Sequence, residues 1–299
     1  MIYDTLCLSG GGTSGISTLG SLKILENYNF YNYKKINNFY GTSVGSIICF
    51  FLIIKYSIDD IINFIDKFNF DNLDQKANAE IFLKNYGLNT GSRLVTIIQT
   101  FLYEKFKLKD ITFFELYKKT NKNFGVVGTN ITKNREELFS YKNTPNMSVI
   151  KAIRISISIP FVFTIVEHNN FKYTDGGLVN NFPINYCNSK TTIGINLVSS
   201  KDNNCNTFLY FLIGIKNVIY KLLSTYNKYS VNHVIEIGNS NDNKDNVNKN
   251  IEQNIYRYKI NDYQKDILFR KGYYQTLKFC KNSIVLISFQ IIQEIINSI

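Results

Sequence analysis

The sequence predicts an α/β sandwich built on a largely parallel sheet. Two observations carry that reading. Apolar, strand-like runs alternate with segments of helical periodicity along most of the 299 residues, and the first such junction is a glycine-rich turn. At 44% hydrophobic and 15% aromatic, the chain has material for one large domain or two modest ones with a buried core.

Residues 2–9 read as a buried strand, and residues 15–27 as a helix with Ile16, Leu19, Leu22 and Leu25 at helical spacing. Residues 35–40 form a second strand that enters G-T-S-V-G-S, and a buried helix follows over 46–56. The next helix sets Ile58, Ile61, Ile62, Ile65 and Phe68 on one face, with Asp59 and Asp60 near its start, where the helix dipole favours acids. Further helices are expected at 92–105, 112–120 and 148–156, with strands at 124–132, 137–142 and 191–198. A helix at 207–227, a strand at 232–238 and two closing helices at 262–280 and 283–297 complete the chain. Between them the polar, low-complexity run 239–250 is expected to be a mobile surface loop. No internal repeat is visible.

The formal net charge of +11 favours anionic partners such as phospholipid surfaces or nucleic acid, and opposes acidic ones. Yet no run of five Lys/Arg occurs, and abundant Asn and Lys beside an absence of Trp read as the composition of an A+T-rich genome. The bland reading is a solvated basic surface; no nucleic-acid motif is present and no such partner is expected. Cys7, Cys49, Cys187, Cys205 and Cys280 are odd in number and form no C-x-x-C pair, which argues against zinc and for a reducing compartment. Neither a signal peptide nor an apolar run long enough to span a bilayer is seen. The expectation is an intracellular protein, not secreted, that is cytoplasmic or meets membranes from the water side.

Two glycine motifs carry the chemistry. Gly10, Gly12 and Gly15 match G-x-G-x-x-G between a strand and a helix, the context of a dinucleotide site. Such a site wants an acid about twenty residues on, for the ribose. Lys34, Lys35, Asn37 and Asn38 stand there instead, and no P-loop Gly-Lys-Ser/Thr follows. The loop suits either a phosphate or an oxygen that turns negative only during a reaction. The second motif, Gly41-Thr42-Ser43-Val44-Gly45, is a G-x-S-x-G at a strand-to-helix junction. There the flanking glycines permit a tight turn, and Ser43 is either a nucleophile at a helix N-terminus or that helix's N-cap.

A nucleophilic serine needs a base. Ser43, Asp175 and His233 fall in the order of a hydrolase triad, but His233 lies in an apolar strand and His168 in a polar turn. Asp175-Gly176-Gly177 offers an alternative: an aspartate at a strand end, free to approach another loop and accept the serine proton directly. Read in isolation, D-G-G is also a hairpin turn.

Together these residues resemble the patatin-like phospholipases. S-G-G-G-T-S-G-I-S-T-L-G-S-L is similar to the family's glycine loop, G-T-S-V-G-S to its nucleophile elbow, and D-G-G to its aspartate motif. S-I-S-I-P-F-V-F resembles the small-residue and proline block before that motif, and the similarity spans roughly residues 3–200. The resemblance implies a three-layer α/β/α sandwich and a Ser43–Asp175 dyad. It implies an oxyanion hole from Gly10, Gly11 and Gly12, with Gly41, Gly45, Gly176 and Gly177 supporting the turns. One departure stands out: Ser14 occupies the place of a usual Arg or Lys.

The organisation expected is a core over 1–200 and an α-rich extension over 201–299 packed on the same domain. The function expected is phospholipase A-type hydrolysis of acyl esters of phospholipids or related glycerolipids, with peripheral contact to anionic membranes. No cofactor or metal is called for, calcium included. A neutral-lipid or general esterase is the competing enzyme reading. A lipid-binding protein with a decayed site, suggested by Ser14, is the competing non-enzyme reading.

Overall fold

The structure, a computed structural model, describes residues 3–73, 86–188, 190–198, 233–238 and 260–297. Five strands form the parallel body of its main sheet: β1 (Thr5–Leu8), β2 (Asn38–Thr42), β4 (Asn123–Asn130), β9 (Thr192–Leu197) and β10 (Val234–Ile237). Their order is β10-β9-β1-β2-β4. A small parallel ribbon pairs β3 (Gly87–Asn89) with β6 (Phe161–Phe163).

The antiparallel side of the main sheet decides where the site lies. β5 (Arg135–Ser140) pairs with β4 from Gly125 to Asn130 and so fills one edge of it. β2 pairs with β4 up to Thr42, opposite Val127. β8 (Phe171–Asp175), in a hairpin with β7 (Val166–His168), ends at Asp175 opposite Gly128. With β5 on the other edge, β2 and β8 must share one edge of β4, running toward each other. Their C-terminal ends meet on adjacent rungs.

Strand alternation sorts the core. Leu6, Leu8, Phe39, Phe124, Ile193 and Ile195 belong to the main buried cluster with the helices. Cys7 points the other way, into a smaller cluster with Phe182 and Ile184. The helices in order are α1 (Gly15–Asn27), α2 (Val44–Ile53), α3 (Ile58–Lys67), α4 (Ser92–Phe106), α5 (Phe113–Thr120), α6 (Val149–Ser156) and α7 (Asp262–Asn297). Each fully buried Leu, Ile or Phe contributes about 1.5–3 kcal/mol, so α2, whose Ile48 and Phe50–Ile53 are all buried, is set by burial rather than amphipathicity. α3 is half-exposed and is fixed at its start by a capping box between Ser57 and Asp60.

α7 packs along α1 at backbone range. The Ser17 hydroxyl donates to Leu268 O at 2.7 Å and the Ser21 hydroxyl to Gly272 O at 3.2 Å. A Cβ on Gly20 would overlap Phe269 O, and one on Gly272 would overlap Ser17 O. Lys265 Nζ donates to Asp66 O and Phe68 O, capping the end of α3.

The sequence-predicted elements are mostly present within a few residues of their expected bounds. The two closing helices, however, are one continuous helix of 36 residues. Lys281 and Asn282 stand at the expected break, and neither removes a backbone donor or frees the chain as Pro or Gly would. The strand expected to end at Asp175 is β8, whereas β3, β6 and β7 are not among the expected elements, because three-residue strands carry too little periodicity to read. The helix expected at 207–227 and the loop expected at 239–250 lie outside the described residues. Cys7 and Cys49 are buried and free, as their apolar settings predict, and burial pushes both thiols well above their usual pKa.

Candidate active site

Ser43 sits between β2 and α2 with φ 52° and ψ −125°, a conformation that costs a non-glycine residue about 1–3 kcal/mol. Several contacts enforce it. Ser43 N–H donates to Ser156 Oγ at 2.8 Å, and Ser156 Oγ donates onward to Val127 O at 2.6 Å. Ser46 Oγ donates to Ser43 O at 2.6 Å. The turn is close-packed: a Cβ on Gly41 would lie 2.6 Å from the Gly45 carbonyl carbon, and one on Gly45 would lie 2.5 Å from Leu8 O. Ser43 occupies the N-cap position of α2, yet its side chain accepts no capping hydrogen bond. The hydroxyl is therefore not used as a cap, which decides against the simpler reading of the motif.

Asp175 arrives from the opposite direction at the end of β8. It is buried, and its Oδ1 accepts Gly177 N–H at 2.6 Å. D-G-G is not a hairpin turn here; it leads into a 3-10 turn, Gly176–Leu178. A Cβ on Gly176 would overlap Val127 O and stand 3.1 Å from Thr42 Cγ2, so this glycine lets the chain after β8 close onto β4 beside the end of β2.

The glycine loop crosses the same point. A Cβ on Gly10 would sit 3.0 Å from Ser43 Cβ and 2.5 Å from Asn181 Oδ1, so only glycine permits this approach. Gly177 packs on that same Asn181 oxygen. Gly10 and Asn181 also exchange hydrogen bonds: Gly10 N–H donates to Asn181 O at 3.0 Å, and Asn181 Nδ2 donates to Gly10 O at 3.1 Å. This narrows the expected donor set, because the Gly10 N–H is engaged. Among the described residues the Gly11 and Gly12 N–H groups donate no hydrogen bond. Gly12, at φ 56°, has open space where a side chain would be.

That space is a cavity of about 120 Å³. Gly12, Thr13 and Ser43 supply its polar part, and the rest of its lining is hydrocarbon from the chain between α1 and α4, including Ile47, Phe51, Phe64 and Ile97, with Ile157 and Ile159 from beyond α6. No charged side chain lines it among the described residues. Of the apolar helices expected between residues 58 and 120, α3 and α4 wall the cavity, whereas α5 only packs into the core. Ser14 is half-buried in the αR conformation ahead of α1 and supplies no charge.

Neither histidine reaches this place. His233 precedes β10, and its ring packs edge-on against Tyr3 at 5.4 Å, at the N-terminal ends of the parallel strands. Ser43 follows the C-terminal end of β2, a strand length of about 13 Å away. His168 is paired with Phe171, at the far end of β8 from Asp175. Burial lowers the pKa of both imidazoles. We therefore expect His168→Ala and His233→Ala each to leave the reactivity of Ser43 toward a fluorophosphonate largely unchanged once corrected for folded protein. A folded His233→Ala as inactive as a nucleophile mutant would reinstate the triad. Among the described residues no three His, Cys, Asp or Glu side chains are grouped to hold an ion.

Sequence reasoning missed Ser156 and Asn181, which hold the serine turn and the glycine loop. Ser156 opens the small-residue block, and Asn181 lies four residues past D-G-G. Their partners are 113 and 171 positions away.

Fold and site together define an α/β protein whose serine turn lines a hydrocarbon-walled cavity. A family model described as patatin-like phospholipase matches residues 6–187, and the chain belongs to that family. It is 37% identical over 187 residues to a protein named probable lipid hydrolase 463L of Invertebrate iridescent virus 6, covering 61% of this chain and 62% of that one. It is 34% identical over 207 residues to the uncharacterized protein R571 of Acanthamoeba polyphaga mimivirus, covering 68% of each. The chain thus spans about two thirds of the length of these relatives. Among solved structures, VipD from Legionella pneumophila superposes with a TM-score of 0.65 at 16% identity, covering 94% of this chain and 67% of that one. At that identity the likeness carries the fold.

Proposed function

We propose that the protein is a serine lipid acyl hydrolase of phospholipase A type, cleaving fatty-acyl esters of phospholipids or related glycerolipids. One observation carries the reading: a serine on a strained turn, its hydroxyl not spent on capping, that lines a cavity otherwise walled by hydrocarbon. A fatty-acyl chain is the substrate portion that such a lining accepts, and Ser43 stands where its ester carbonyl would lie.

In this reading Ser43 Oγ attacks the carbonyl carbon while Asp175 accepts its proton. The tetrahedral oxyanion is held by the Gly11 and Gly12 N–H groups, and Gly10 holds the loop in place through Asn181. Such donors act where charge develops, and removing one typically costs about 3–4 kcal/mol. Asp175 then returns the proton to the leaving alcohol; water, deprotonated by the same carboxylate, attacks the acyl-enzyme carbonyl, and the proton passes to Ser43 Oγ as its bond to the acyl group breaks and the fatty acid leaves. No step calls for a cofactor or a metal.

Peripheral contact with anionic membranes from the cytoplasmic side completes the proposal, supported by the +11 charge. No described helix is long and apolar enough to cross a membrane. Residues 1–200 serve as the catalytic core and 201–299 as an extension of one domain. Two contacts support this: β10 joins the main sheet and α7 packs on α1.

The test is fatty-acid release by the purified protein from phosphatidylglycerol vesicles and from triacylglycerol emulsions, alongside labelling by a fluorophosphonate. Release from vesicles with labelling is the expected result. Preference for the emulsion would favour the neutral-lipid esterase. Neither release nor labelling in folded protein would leave a lipid-binding protein, the reading to which Ser14 points.

A further inference from the structure

We infer that Ile65 limits the length of acyl chain that the Ser43 cavity takes, so that the site favours short- and medium-chain esters. The inference deepens the acyl-hydrolase reading and rests on it. An apolar cavity of about 150 Å³ accommodates benzene, a six-carbon ring. The Ser43 cavity, at about 120 Å³, thus has room for about six carbons. A hexadecanoyl chain outgrows it.

The walls differ in what they can yield. On one side rings interlock across three helices. Phe51 of α2 stacks on Phe101 of α4 at 4.3 Å, Phe101 meets Phe64 of α3 at 4.8 Å, and Phe64 meets Phe68 at 5.2 Å. Phe68 in turn meets Phe70 at 5.1 Å, and all of these rings except Phe101 line the cavity. On the other side stand Ile16 and Leu19 of α1 and Ile65 of α3. The same three side chains line a second cavity, of about 490 Å³, among α1, α3 and α7. They are the partition between the two. Beyond it the second cavity is walled by Ile62 and Phe269, and the exposed Asp66, Asp262 and Asp266 mark where it opens to water.

Within the partition Ile65 decides. Ile16 and Leu19 are 5% and 2% exposed, on the helix whose Ser17 and Ser21 are bonded to α7. Ile65 is half-buried near the end of α3 and packs on both sides, against the main cluster and against the smaller one of Ile16, Phe70, Leu73 and Leu268. Cutting it back joins the cavities without altering α1, Ser43 or the glycine loop. A chain too long for the first cavity then runs on into the second, while its carbonyl stays at Ser43.

Turnover and binding are measured separately. Wild type, Ile65→Ala and Ile62→Ala are compared on p-nitrophenyl esters from butanoate to dodecanoate; Ile62 lines the second cavity but not the first. In wild type kcat/KM should peak near hexanoate and fall by at least about tenfold at dodecanoate. Ile65→Ala should reduce that fall to about threefold or less, whereas Ile62→Ala should keep the wild-type profile. Ile65→Val, a smaller cut, should move the profile the same way and guards against a poorly folded Ile65→Ala. In a Ser43→Ala background, calorimetry with methyl hexanoate and methyl decanoate reads the same limit without turnover. There the two esters should bind alike, and adding Ile65→Ala should make the decanoate bind at least about tenfold tighter. A wild-type profile that is flat or rises toward dodecanoate would overturn the inference. So would an equal shift in Ile62→Ala, or an unchanged profile in folded Ile65→Ala. If the wild type hydrolyses no ester, the hydrolase reading falls, while the methyl ester comparison still decides the partition.

Discussion

Ser43→Ala is expected to abolish acyl hydrolysis and fluorophosphonate labelling, with a loss of at least about 10³-fold in kcat. The fold should be unaffected, because alanine bears the same positive-φ strain as serine and the hydroxyl makes no capping bond. Ser43→Gly separates chemistry from stability. Glycine relieves about 1–3 kcal/mol of strain and forfeits roughly 0.5–1 kcal/mol of chain entropy, so it should be inactive yet more stable by about 1 kcal/mol. Thermal melts and activity assays on both variants check this together. Substantial turnover by purified Ser43→Ala would remove Ser43 as the nucleophile.

The second large effect is at Asp175. Asp175→Asn keeps an oxygen able to accept the Gly177 N–H, so the turn should survive while the proton acceptor is lost. We expect hydrolysis to fall by at least about 10²-fold, with labelling of Ser43 slowed in parallel. Because nucleophile and base act as a unit, Ser43→Ala/Asp175→Asn should be scarcely worse than either single variant. Near-normal rates of both hydrolysis and labelling in folded Asp175→Asn would reduce D-G-G to a structural turn.

The parts of this protein legible in its sequence are those whose cause is local. Ile16, Leu19, Leu22 and Leu25 recur at helical spacing, and α1 runs over the expected residues, Gly15–Asn27. Gly41 and Gly45 bracket Ser43 because a tight turn needs them wherever it occurs. The competition between phosphate and oxyanion could not be settled within the glycine loop. What narrows its donors is the bond from Gly10 to Asn181, a residue 171 positions away. The approach of the end of β2 to the end of β8 has the same character: it follows from the two strands sharing one edge of β4, which no local pattern encodes. Ser156 looked like one small residue in a small-residue block, and its role exists only once Val127 and Ser43 flank it.

The backbone contact between α1 and α7 has a consequence for biosynthesis. α1 begins at the glycine loop, yet it is seated by Leu268 and Gly272, which emerge from the ribosome 251 residues after their partners. At typical elongation rates of about 5–20 residues per second, that is a delay of roughly 12–50 s. Throughout it, the nascent chain carries Ser43 but lacks the helix against which α1 packs. The seating of α1, the helix that follows the glycine loop, is thus among the last features of the fold to be completed.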